Sequence, residues 1–142
     1  LFGSGNVKQL KNTLFVSLFF LTIIGTIALL PLYIFSYEIL SLFGNSFVEG
    51  SQILRIMTPA LFIRIVSVPI VTFLSSTKYV IYPNIGGVII LITSVGTWML
   101  LTPSYQLSGI AYGYLVGTAF GIGYQITMGL IKFNKYINTI EA

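Results

Sequence analysis

Long apolar runs alternate along the chain with short polar breaks, and the breaks carry nearly all of the charge. Asn12 to Tyr37 is 26 residues without a charged side chain and Tyr79 to Ile131 is 53, against about 20 needed to cross the hydrocarbon core of a bilayer once. The second run is long enough for two crossings. Together with the stretch between them, the runs predict four membrane-spanning helices, at about residues 13–33, 51–76, 80–101 and 107–131. Pro31 falls near the exit of the first, and Pro83 in the first turn of the third, where no intrahelical donor is lost. The breaks STKY and TPSYQ separate the last three spans. Between the first two, SYEILSLFGNSFVEG is amphipathic through Ile39, Leu40, Leu42, Phe43 and Phe47. It reads either as a short interfacial helix broken at Gly44-Asn45 or as an extension of the neighbouring spans. The expected fold class is all-α, a polytopic membrane protein.

Charge orients these spans. Lys8 and Lys11 precede the first, Lys78 lies between the second and third, and Lys132 and Lys135 follow the fourth. All five lysines fall on one side, which the positive-inside rule makes cytoplasmic, so both ends of this segment are expected in the cytoplasm. Glu38, Glu49 and the uncharged turn Thr102 to Gln106 fall on the other.

Composition agrees: 56% hydrophobic, 7% charged and a mean hydropathy of +0.96, where an ordinary soluble domain is about 25% charged. Apolar character recurs along the whole chain, which sets a cleavable signal peptide aside. The polar opening LFGSGNVKQLKN reads as a piece of something larger. Cysteine, histidine and aspartate are missing, and the acids are Glu38, Glu49 and Glu141. Thiolate or imidazole metal sites, Cys/His nucleophiles and disulfides are therefore excluded within this segment. It is not expected to be an enzyme or to hold a cofactor or metal. The net charge of +4 comes from lysines flanking the spans and not from a basic stripe, so nucleic acid is not an expected partner.

Against this background Arg64, in PALFIRIVSVPI between Pro59 and Pro69, stands out. A charge at the centre of a span costs about 2.5–3.5 kcal/mol on insertion scales. On a straight helix Ser67, Ser75 and Lys78 fall within about 60° of it, and Arg55 points to the opposite side. Two readings stay open. Arg64 faces a hydrated cavity and contacts an anionic group, for which its planar fork suits a phosphate. Or it caps backbone carbonyls freed by the prolines, or pairs with an acid elsewhere in a larger protein. Arg55, nearer the surface, is expected to snorkel.

Gly109, Gly113, Gly117 and Gly121 recur every four residues in the fourth span. This small-residue ridge is a helix-packing pattern in lipid; with no preceding strand and no following Lys-Ser/Thr pair, it is not a phosphate loop. Tyr33, Tyr37, Tyr79, Tyr82, Tyr105 and Tyr136 fit an interfacial belt, whereas Tyr112, Tyr114 and Tyr124 lie deeper and are candidates for sugar or lipid contact or for packing.

The order of ILSLFGNSFVEGSQILRIMTPALFIRI, a span ending in STKY and TPSYQLSGIAYGYLVG resembles the C-terminal part of polysaccharide repeat-unit exporters. These are the Wzx-type flippases of the multidrug/oligosaccharidyl-lipid/polysaccharide exporter superfamily. The resemblance runs from about Phe2 to Ile131, through LFG at Leu42 to Gly44, ILRI at Ile53 to Ile56, and Pro103 to Ala111. Gln106 departs from it, standing where the family's turn has glycine. The resemblance implies two helical lobes around a central cavity, with this segment supplying four helices of the second. It implies transfer of undecaprenyl-diphosphate-linked oligosaccharide across the bacterial cytoplasmic membrane for O-antigen or capsule synthesis. The partners would be that lipid-linked oligosaccharide, membrane lipids and the rest of the transporter chain. Arg64, with Ser67, Ser75 and Arg55, becomes the candidate substrate contact. The rivals are a cation or drug antiporter of the same superfamily, which would need carboxylates in its spans, and a four-helix scaffold that transports nothing.

Overall fold

Backbone groups facing lipid have no water to bond to and must be satisfied within the segment, and the chain does this with four long helices. A computed structural model of the protein describes residues 7–141. Residues 1–6, which hold half of the polar opening and the start of the resemblance, lie outside the described residues with Ala142 and the side chains of Val7, Ile140 and Glu141. Helix α1 spans Val7–Ile34, α2 Ser36–Ser41, α3 Ser51–Ser75, α4 Ile81–Tyr105 and α5 Leu107–Glu141, with a 3-10 turn at Asn45–Gly50 between α2 and α3. No strand occurs among the described residues, and α1, α3, α4 and α5 are each long and apolar enough to cross a membrane.

The long helices overrun their expected bounds where lysines sit. α1 begins at Val7, so Lys8 and Lys11 belong to its first two turns, and α5 continues past Ile131 to carry Lys132 and Lys135. At 1.5 Å per residue α5 is about 52 Å long, against about 30 Å of hydrocarbon. The loop between the first two spans forms α2 and the 3-10 turn, divided at Gly44, whose φ of 121° is open to glycine. Arg55 Nε donates to the buried Ser36 Oγ at 2.7 Å, tying the start of α2 to α3.

The largest departure from expectation is the α4–α5 connection. The expected break Thr102 to Gln106 is instead helical through Pro103 to Tyr105, and the chain reverses at Gln106 alone. Gln106 takes φ 49°, ψ −128°, a conformation that suits glycine. It is the one non-glycine with positive φ among the described residues. The backbone at Gln106 is thus under strain, worth about 1–3 kcal/mol.

In lateral order the helices run α1, α3, α5, α4: α5 packs most extensively on α4 and next on α3, α1 lies on α3, and the consecutive pair α3 and α4 barely touch. The α4–α5 seam is antiparallel and in register. A Cβ at Gly109 would lie 2.8 Å from the backbone of Leu101 and Thr102, one at Gly117 2.8 Å from Ile90 O, and one at Gly121 2.6 Å from Gly86 O. Gly113 faces the Trp98 indole in the same way. One turn further, Gln125 Nε2 donates to Pro83 O at 2.8 Å, lying over Gly86. The four-residue step continues to Gly129, which faces Ile70 and Leu74 of α3. Each step of four rotates about 40° around a helix, so the ridge winds from α4 onto α3.

At the lysine end, Phe73, Leu74 and Tyr79 are buried and packed by Leu14, Tyr82, Phe133 and Tyr136. Lys132 lies 4.8 Å over the Tyr82 ring and 5.8 Å from that of Tyr79, which Lys78 also approaches at 5.7 Å. Contacts of this kind are worth about 0.5–1 kcal/mol at exposed sites and hold the short α3–α4 connection against α5.

Candidate functional site

Proline removes a backbone donor, so Pro59 and Pro69 leave the carbonyls of Arg55 and Ile65 without their usual partners. α3 nevertheless stays helical from Ser51 to Ser75, as helices in lipid tolerate when neighbours support them. Arg64 sits at its middle, 13 residues or about 20 Å from its start.

Its guanidinium does not turn back to those carbonyls. Nη1 donates to Tyr114 Oη of α5 at 3.2 Å, and Arg64 is exposed on the surface of the bundle. Register shows how the bond forms. α3 and α5 run parallel, with Phe73 against Phe133 and Ile70 against Gly129, which puts the backbone of Arg64 well below that of Tyr114. The two long side chains span that offset between the helices. A cation and a phenol, one from each of two helices, thus meet at one position.

The other candidates do not gather there. Ser67 is buried, and its hydroxyl donates to the backbone carbonyl of Arg64 at 2.8 Å, an internal contact of α3. Ser75 is exposed at the end of α3, about three turns away. Arg55 stays near the start of the helix, on Ser36. Tyr112 stacks edge-on with Tyr105 at 6.1 Å. Tyr114 alone of the three deeper tyrosines meets Arg64.

Two features escaped the sequence reading. Gln125 is a buried amide clamping α5 to the first turn of α4, and its signal was present: it stands four residues past Gly121, in step with the glycines. Ser36 as the anchor of Arg55 had no signal, because two residues 19 apart meet only through the turn at Gly44. Among the described residues, no group of His, Cys, Asp or Glu could hold a metal ion.

What the arrangement offers chemically is a donor fork and a hydroxyl, with no carboxylate near: Glu38 lies in α2 and Glu49 in the 3-10 turn. Such donors suit an oxyanion. The MatE family model matches residues 1–103, from the start of the chain through α1, α2, α3 and most of α4. No curated protein and no solved structure matches the chain.

Proposed function

The chain belongs to the MatE family of membrane exporters, and on that premise we propose that it is the C-terminal part of a flippase for undecaprenyl-diphosphate-linked oligosaccharide. It would move repeat units across the bacterial cytoplasmic membrane during O-antigen or capsule synthesis, with Arg64 contacting the diphosphate or an acidic sugar. The observation carrying this reading is Arg64 itself, exposed at mid-span with one neutral partner, Tyr114. A cation without a counter-charge at that position costs about 2.5–3.5 kcal/mol on insertion scales; a hydrated cavity holding an anion removes the cost. Arginine keeps its proton there and offers two parallel donors to a phosphate.

The antiporter reading fits less well. Exchange of cations for protons or sodium needs carboxylates within the membrane; among the described residues the acids lie between the spans or at their ends, Glu38 in α2, Glu49 in the 3-10 turn and Glu141 at the end of α5, and Arg64 repels cations. A non-transporting scaffold fits less well with membership of a family of membrane exporters.

In the full-length protein, Arg64→Ala is expected to lower export of lipid-linked repeat units about tenfold or more at normal membrane levels, with Arg64→Lys intermediate. A tenfold loss corresponds to about 1.4 kcal/mol of contact. Wild-type export by both variants, or loss of resistance to cationic drugs in place of export, would refute this reading. The orientation, lysine end in the cytoplasm, rests on the five lysines. Labelling of Ser46→Cys but not Asn134→Cys from outside intact cells is its expected signature.

A further inference from the structure

We propose that the groove between α1 and α5, at the lysine end and remote from Arg64, binds one anionic phospholipid. Its acyl chain would lie in the apolar half and its phosphate on Lys8 and Lys11.

Two adjoining cavities carry this inference. One, of about 320 Å3, is walled by Leu14 and Leu18 of α1 and Leu130 and Phe133 of α5, with Ile70 of α3 and the bare backbone of Gly129 as its floor. The other, an open hollow of about 690 Å3 on α1, carries the polar side chains Lys8, Gln9 and Asn12. Lys11 and Phe15 line both, so the surface is continuous. Lys8, Lys11, Phe15 and Leu18 follow one another at three- and four-residue steps and share a face of α1. That face passes from charge to hydrocarbon within about three turns.

The occupant follows from this polarity. A soluble phosphate would leave the apolar half empty, and an apolar helix would set its flank against two ammonium groups. A lipid with an anionic head matches both halves, since each basic residue near an anionic headgroup contributes about 1 kcal/mol and the acyl chain fills the apolar half. Glu38 and Glu49 are at the opposite end of the bundle, and Glu141 closes α5 about two turns beyond Phe133. The proposal does not depend on which compound the protein exports.

The test uses the full chain, delipidated in detergent and offered equal amounts of phosphatidylglycerol and phosphatidylcholine with identical acyl chains. Retained lipid is read by native mass spectrometry. Wild type is expected to keep phosphatidylglycerol preferentially. Lys8→Gln and Lys11→Gln should each lower that preference roughly fivefold, as about 1 kcal/mol per lysine implies, and Lys11→Arg should preserve it. Leu130→Trp, at an exposed position that fills the apolar half, should reduce retention of both lipids. The pair Lys132→Gln/Lys135→Gln removes as much charge from the same end and should leave the preference intact. Equal retention of the two lipids by wild type, or equal loss in both lysine pairs, overturns the proposal. So does absence of any retained lipid, the result expected if another helix of the full chain fills the groove.

Discussion

Where α5 crosses α4, four glycines and Gln125 face Leu101 and Thr102, Trp98, Ser94, Ile90 and Gly86 across contacts that reach backbone. Where α1 crosses α3, Gly25 meets Phe62 and Ile65 at ordinary van der Waals distance. Cavities of about 240 and 270 Å3 lie along that second seam, one lined by Pro59 and the other by Pro69. Of the apolar stretch of the first span 6% is buried within the chain, and of that of the fourth 33%. Lipid tails are as apolar as leucine, so helices in a membrane gain little by hiding hydrophobic surface and associate by close packing instead. The α4–α5 seam is built that way and leaves no slack. The α1–α3 seam is not, and the two prolines of α3 sit beside its free volume, where a helix lacking two hydrogen bonds has room to bend.

Substitutions can break or sharpen this contrast. The largest effect is expected from Gly117→Ala and Gly121→Ala, whose new methyls meet the Ile90 and Gly86 carbonyls. Backbone cannot rotate away, so the helices must separate, at about 1–3 kcal/mol each, seen as a lower unfolding temperature in detergent. Gln106→Gly should act in the opposite direction, stabilising by about 1 kcal/mol through release of the strained backbone between α4 and α5. The smallest effect belongs to Gly25→Ala. Its methyl fits beside Ile65 and Phe62 at 3.4 Å, and the helix gains at most about 1 kcal/mol of propensity. If Gly25→Ala cost as much as Gly117→Ala, the two seams would not differ as described.

Much of this was legible in the chain, for identifiable reasons. Span number follows from uncharged length, and the common end of the lysines from alternation of spans. The helical class follows because lipid leaves the backbone no other partner. What was misplaced lay where local signals mislead. Pro103 reads as the end of a helix, yet it falls within the last turn of α4, and the reversal is left to Gln106, whose side chain argues against the conformation it adopts. Ser67 lies on the expected side of α3 but spends its hydroxyl on the carbonyl of Arg64.

Arg64 marks the division most clearly. Its cost in a bilayer, its planar donor fork and the lack of a nearby acid belong to the sequence, because they depend on residue type and on position along a span. Its contact with Tyr114 joins residues 50 apart in the chain. That contact required α5 to insert between α3 and α4, an order no local pattern encodes, since consecutive helices could equally have paired. The glycine ridge is similar: its four-residue period is local, but only packing assigns Gly109 to Gly121 to α4 and Gly129 to α3. A period fixes which residues share a stripe, whereas the partner of that stripe is decided by the energy of all the helices packed at once.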